Sequence, residues 1–171
     1  MSQDYTFNPG DFVVYPAHGI GRVTSIEKTT VSGQSLDLIA VQLSKKDKGT
    51  LRIPSTKVGD TKLRQVSTPA IMESAVKVLQ GRPKVRRILW AKRALEYNNK
   101  ISSGCPIATA EVIRDLYKDP KAGSQTFSER QILEQAMERF SSEYAVVHKM
   151  DEGIACAKID GILQARFVSA K

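Results

Sequence analysis

The residues best suited to chemistry lie together in "RRILWAKR", Arg86 to Arg93. This run holds the only tryptophan of the chain, Trp90, among Arg86, Arg87, Lys92 and Arg93. Guanidinium and ammonium groups hold phosphate oxygens, and a flat indole stacks on an unstacked base or inserts beside it. The combination therefore points to a nucleic-acid contact rather than to bond-making chemistry. The charge is local: from Lys77 to Lys100 there are eight Lys or Arg and a single acid, Glu96. A catalytic set is not legible elsewhere. The chain has no nucleophile elbow, no HExxH, no GxxxxGK loop and no recognisable carboxylate pair. His18 stands without a second His or Cys nearby, and Cys105 and Cys156 lie far apart outside any CxxC, which argues for reduced structural thiols rather than zinc or a disulfide. Glu111, Asp115 and Asp119 read as ordinary helix-face charges, and Asp151 and Glu152 as the start of a final helix. Neither an enzyme nor a cofactor is expected.

The elements that must position this cationic run follow from the rest of the chain. A length of 171 residues allows one medium domain or two small ones, and 41% apolar with 6% aromatic residues suffices for packed cores. Twenty-six Lys and Arg against eighteen Asp and Glu give +8, which favours a polyanionic partner. No apolar run reaches the roughly 18 residues of a membrane-spanning helix, and "MSQDYTFNPGD" lacks the basic start and apolar stretch of a signal peptide. A cytoplasmic location is expected.

Two textures meet near residue 66. From Asp11 to about Val66, short β-rich runs, "DFVVYP", "IGRVTSIEKTTV", "LDLIAVQLS" and "TLRIP", are broken by Gly10, Gly19, Gly33 and Gly49, the pattern of a small twisted barrel. Beyond Ser67 the period turns helical. The first helix is capped by Ser67 or Thr68, carries a proline in its first turn and stops at Gly81. The second is expected from about Pro83 to Ser102, and the third from about Pro106 to Tyr117. A long fourth helix begins with Phe127 as the hydrophobic residue and Ser128 as N-cap, and a weaker fifth runs from about Asp151 to Leu163. The expected fold is α+β, with a β module over 1–66 and an all-α domain of about five helices over 67–171. No role is read for the tail "QARFVSAK".

On a wheel of about 100° per residue, the second helix gathers Val85, Ile88, Ala91, Lys92 and Leu95 on one side, taken as the core face. Arg86, Trp90, Arg93, Tyr97 and Lys100 fall opposite. Trp90 is thereby expected to face solvent on a cationic ridge.

The run "GDFVVYPAHGIGRV", then "LRIP" some thirty residues on, then a helical half containing "AEVIRDLY", resembles the CarD family of bacterial transcription regulators over nearly the whole chain. The resemblance implies that the N-terminal half is a Tudor-like (SH3-like) barrel that binds the β subunit of RNA polymerase by strand-edge addition. Main-chain bonds would supply affinity there and flanking side chains would choose the partner. It assigns Arg52 with its "LRIP" neighbours Leu51 and Ile53 to that contact, and the stretch around Lys28, Thr29 and Val31 to the other edge. Thr29 stands where some members carry arginine. In the helical half the resemblance puts the family's minor-groove tryptophan at Trp90. Lys92 and Arg93 fall near the DNA backbone, where Arg86, Arg87 and Lys100 would join them. The implied partners are RNA polymerase and promoter DNA read without base specificity, and the implied state is a monomer. An adaptor whose helical half binds another protein, or an RNA-binding protein using the same basic face, stays open.

Overall fold

The computed structural model describes residues 7–43, 49–123 and 125–168. The opening of the N-terminal stretch, Ser44 of the third β-rich run and Ser169 to Lys171 of the tail lie outside the described residues. The chain forms two compact units that divide between Val66 and Ser67.

The first unit is a five-stranded antiparallel sheet in the order β4-β3-β2-β1-β5. The strands are β1 (Phe12–Tyr15), β2 (Gly19–Val31), β3 (Gln34–Leu43), β4 (Thr50–Pro54) and β5 (Arg64–Gln65). A short 3₁₀ turn, Ser55–Lys57, leads into the single-turn helix α1 (Val58–Thr61). Alternation places Val13, Val23, Ile39, Val41 and Ile53 on one face, where they pack with Phe7, Val58 and Leu63. Ser32 and Gly33, with φ of 52° and 78°, close β2 and β3 in a two-residue turn. Both positive φ values suit the right-handed twist of the hairpin. At Gly21 a Cβ would sit 2.5 Å from Val41 Cγ1 and 3.0 Å from the Gln42 carbonyl oxygen, so only glycine fits where β2 crosses β3.

The second unit is all helical: α2 (Pro69–Leu79), α3 (Trp90–Ser102), α4 (Pro106–Leu116), α5 (Phe127–Val147) and α6 (Glu152–Val168). Thr68 caps α2 by accepting the Ile71 N–H, and Pro69 and Pro106 sit in first turns, where a missing N–H costs nothing. Thr126, not Ser128, caps α5: it accepts the Glu129 N–H (3.2 Å) while Glu129 accepts the Thr126 N–H (3.1 Å). That reciprocal box satisfies two N–H groups at the start of the helix. The helix α4 is the hub, with Ala110, Val112, Ile113 and Leu116 buried against Met72 and Leu79 of α2, Tyr97 and Ile101 of α3, Phe140 of α5 and Ile159 and Leu163 of α6. The helix α6 continues through "QARFV" to Val168, past the expected end at Leu163. Cys105 and Cys156 are free and exposed, so neither is a core thiol.

The second helix departs from expectation in both start and orientation. Residues 82–89 are not helical, and α3 begins at Trp90. The Lys84 N–H donates to Asp115 Oδ1 (2.9 Å), which ties this irregular stretch to α4. Counting from Trp90, the residues at i+4, i+7 and i+11 are Ala94, Tyr97 and Ile101, and these face the core. Val85, Ala91 and Leu95, expected inside, are exposed, and Ile88 is only half-buried. The wheel was turned over because it counted Val85 and Ile88 as helical.

Candidate functional site

Trp90 opens α3 and is half-buried against the helical core, so the indole does not stand free in solvent as the wheel implied. Its ring centroid lies 6.5 Å from that of Tyr97 at an interplanar tilt of 56°. The Arg93 guanidinium carbon sits 5.1 Å from the ring centroid, in cation–π range. Arg93 is itself held: Nη1 donates to the Arg86 carbonyl (3.5 Å) and Nη2 lies 3.9 Å from Glu129 Oε1. Its Nε is buried without a hydrogen-bond partner among the described residues. Glu129 also accepts Lys118 Nζ (2.9 Å). Burial pushes the Glu129 carboxyl up, but the Lys118 bond, the Thr126 N–H and the charges of Lys118 and Arg93 outweigh burial and hold it below its ordinary value. Contacts with a cation and a phenol ring thus clamp the indole at the start of α3.

On its other side Trp90 edges an open groove of about 630 Å³ between α3 and α5, shared with Ala94, Asn98, Gln131, Glu134 and Glu138. Two carboxylates on that wall disfavour a phosphate there.

The five cations expected at DNA beside Trp90 separate into two sets. Arg86 pairs with Glu96 (2.7 Å), Lys100 with Glu111 (2.8 Å), and Arg93 faces Glu129 as above. Arg87 and Lys92 are exposed and make no ion pair among the described residues. Of the five cations expected at DNA, Arg87 and Lys92 are thus the two without an ion pair among the described residues, a state shared by the exposed Lys77, Arg82 and Lys84 nearby.

In the β unit, β4 has β3 as its sole strand partner among the described residues, which leaves an edge able to accept another strand. Arg52 projects from it with its side chain 58% exposed and its Nε 3.2 Å from Glu27 Oε2 on β2. Leu51 is half-buried. Ile53 belongs to the core, so its side chain is unavailable to a partner and it offers only main chain. Lys28 and Val31 are exposed and Thr29 half-buried on the far arm of β2, beyond the residues that β1 pairs.

Two polar residues escaped the sequence. Asp115 is buried rather than an ordinary helix-face charge, and its Oδ1 accepts both Arg114 Nε (2.8 Å) and the Lys84 N–H. Arg166, in the tail to which no role was assigned, donates from Nη1 to the carbonyls of Leu79 (3.2 Å), Gly81 and Arg114 (3.3 Å each), and from Nη2 to that of Tyr117 (3.3 Å). One guanidinium thus serves the C-terminal ends of both α2 and α4, where unpaired carbonyls and the helix dipole favour a cation. The only sequence signal was an arginine in the last turn of a helix.

Residues 7–67 match the family model of the CarD-like/TRCF RID domain, and residues 74–160 match that of the CarD C-terminal domain. The chain is 28% identical over 146 residues to YdeB of Bacillus subtilis (strain 168), described as a candidate transcription factor, across 85% of this chain and 95% of YdeB. The solution NMR structure of the 72-residue N-terminal domain of Myxococcus xanthus CarD is similar at 29% identity over 38% of this chain and 89% of that one, with a TM-score of 0.29.

Proposed function

The chain belongs to the CarD family, whose domains act in transcription regulation through RNA polymerase and form no enzyme class, and from that premise we propose that it stabilises the promoter open complex. In this reading the free edge of β4, with Arg52 and Leu51 beside it, adds a strand to the polymerase β subunit. The helical unit, tethered there, is concentrated next to the upstream edge of the melted segment. Trp90 meets the minor groove at that edge, where base pairs have begun to unstack, while Arg87 and Lys92 hold phosphates.

Promoter opening is a two-state equilibrium, and a bound protein shifts it only through a difference in affinity for the two states. An indole edge that finds a partner only in distorted DNA supplies such a difference. About 1.4 kcal/mol of it is a tenfold shift. The observation that carries the reading is the clamp on Trp90: a ring fixed by Arg93 and Tyr97 loses little rotamer freedom on contact. No base-reading set accompanies it, so selectivity among promoters would follow from how readily each one opens, and weakly opening promoters gain most.

Open-complex lifetime on a weakly opening promoter tests this with Trp90→Ala and Trp90→Phe, the second keeping an aromatic ring in the clamp. The expected result is a lifetime shortened by about tenfold in Trp90→Ala and less in Trp90→Phe. An unchanged lifetime for a folded Trp90→Ala protein refutes the wedge. Arg52→Glu is expected to abolish polymerase binding and leave free-DNA affinity nearly unaltered. Equal loss of both contradicts the division of labour.

A further inference from the structure

The last helix, α6, carries a second stripe besides the one it buries. Ile159 and Leu163 enter the core. Ile154, Lys158, Gly161, Ala165 and Val168, spaced alternately four and three residues apart, are all exposed, Ile154 at 55% and Val168 at 75%. That spacing sets five positions on one straight seam, the pattern by which a helix receives a second helix.

Gly161 separates this seam from an ordinary solvated face. Glycine in the middle of a helix destabilises it relative to alanine. A Cβ at Gly161 would meet nothing beyond its own helix within 4 Å, so no neighbour in the chain requires the glycine. Close approach of a backbone from outside accounts for it. Beside Gly161 runs a groove of about 870 Å³, with Lys158, Ala165 and Phe167 of α6 on one wall and Arg82 and Pro83 on the other. Its walls are fixed before any ligand arrives. Arg166 bonds the carbonyls of Leu79 and Gly81 at the end of α2, and the Phe167 ring stacks on that of Tyr117 at 6.1 Å. Walls ordered in advance lower the cost of binding.

Charge selects the occupant. Arg82, Lys158 and Arg166 line the groove, and among the described residues no acid does, so the groove favours a negatively charged ligand. From Lys158 to Phe167 the α6 wall runs about 14 Å, and Lys158, Gly161 and Ala165 along it are exposed, which suits an elongated ligand rather than a compact one. Phosphates alone would leave the apolar part of the seam uncovered. We propose that this face of α6 docks an amphipathic helix of a protein partner whose apolar stripe is flanked by Asp or Glu. The apolar side chains of that helix pack over Gly161 and Ala165 and against Ile154 and Val168, and its carboxylates meet Lys158. The contact uses neither β4 nor Trp90 and stands apart from the open-complex reading.

The test uses the full chain and a fluorescein-labelled synthetic helix of three heptads, with Leu and Ala along its seam and Glu flanking it, read by fluorescence anisotropy. A shuffled sequence of the same charge and a version with Lys in place of Glu serve as controls. The Glu helix is expected to bind about tenfold more tightly than either. Gly161→Ala should raise the urea midpoint read at Trp90 by about 0.5 M and weaken the Glu helix by about threefold, and Gly161→Leu should weaken it by about tenfold. Stability and binding that move in opposite directions are a result a merely structural glycine does not give. Lys158→Glu should turn the preference toward the Lys helix. Equal affinity for all three helices, or undiminished binding by Gly161→Leu, overturns the proposal. So does displacement of the Glu helix by duplex DNA, because the cations of the groove then serve phosphates.

Discussion

Replacing Arg166 by methionine removes the guanidinium from four carbonyls on two helix ends, those of Leu79, Gly81, Arg114 and Tyr117. A hydrogen bond from a charged donor contributes about 1.5–3 kcal/mol, and a buried carbonyl left unpaired costs about 1–3 kcal/mol. The full sum overstates the effect. All four bonds are 3.2–3.3 Å long, and water reaches the half-buried Gly81 and Tyr117, which leaves Leu79 and Arg114 as the costly pair. Burial lowers the pKa of Arg166, the desolvation cost its bonds must offset, yet an arginine stays cationic. The expected loss is about 3 kcal/mol, a shift of about 2 M in the urea midpoint of a unit this size. Trp90 is the only tryptophan and lies in the helical unit, so its fluorescence reports the unfolding of that unit alone. Arg166→Lys keeps the charge but not the planar fork and should recover less than half of the loss. A shift below about 0.5 M for Arg166→Met, or equal midpoints for arginine and lysine, refutes the staple.

Gly21→Ala sets a methyl 2.5 Å from Val41 Cγ1 and 3.0 Å from a backbone oxygen that cannot withdraw; it should destabilise the β unit by about 2 kcal/mol or more, read by backbone hydrogen exchange of β2 and β3. Glu129 gives a pH signature of stated sign. Its folded pKa lies below the ordinary 4.5, so it stabilises the helical unit above that value and loses this contribution as pH falls through the folded pKa. Glu129→Gln should be less stable than the unaltered protein at pH 7, and the gap should close on acidification below about 4.5 in Trp90-monitored urea titrations. A gap independent of pH contradicts the ion-pair account.

The division into sheet and helices was legible because the period of the apolar residues changes from two to about 3.6 near residue 66, and a change of period survives errors of a few residues at each boundary. The face of α3 was not. The residues from Arg82 to Leu89 contain enough apolar side chains to imitate another turn or two of helix, and what ties this irregular segment down is a carboxylate from α4, distant in sequence, bonded to the Lys84 N–H. Trp90, Ala94, Tyr97 and Ile101 carried the true stripe from the first helical residue on. Arg52 was legible as a projecting residue, whereas Ile53 was assigned to the same contact although strand alternation sends its side chain to the opposite face. Asp115 and Arg166 were illegible for a common reason: each reaches backbone groups of distant segments, Asp115 the Lys84 N–H and Arg166 four carbonyls, and backbone partners leave no residue type to recognise.

The same distinction bears on what the cationic run can do. Charge counted along a sequence overstates charge available to a ligand, because Arg86, Arg93 and Lys100 already face Glu96, Glu129 and Glu111. These three are better placed to shape the site than to grip DNA: Arg93 fixes the indole, and the Arg86 carbonyl fixes Arg93. Under the proposed function, phosphate contacts then fall to the exposed cations of this run without an ion pair among the described residues, Lys77, Arg82, Lys84, Arg87 and Lys92, and binding to free duplex is weaker and less dependent on salt than the full count of eight implies. Weak duplex affinity suits a protein that is delivered by polymerase. Tight binding to closed DNA would stabilise both states of the promoter and cancel the difference through which opening is favoured.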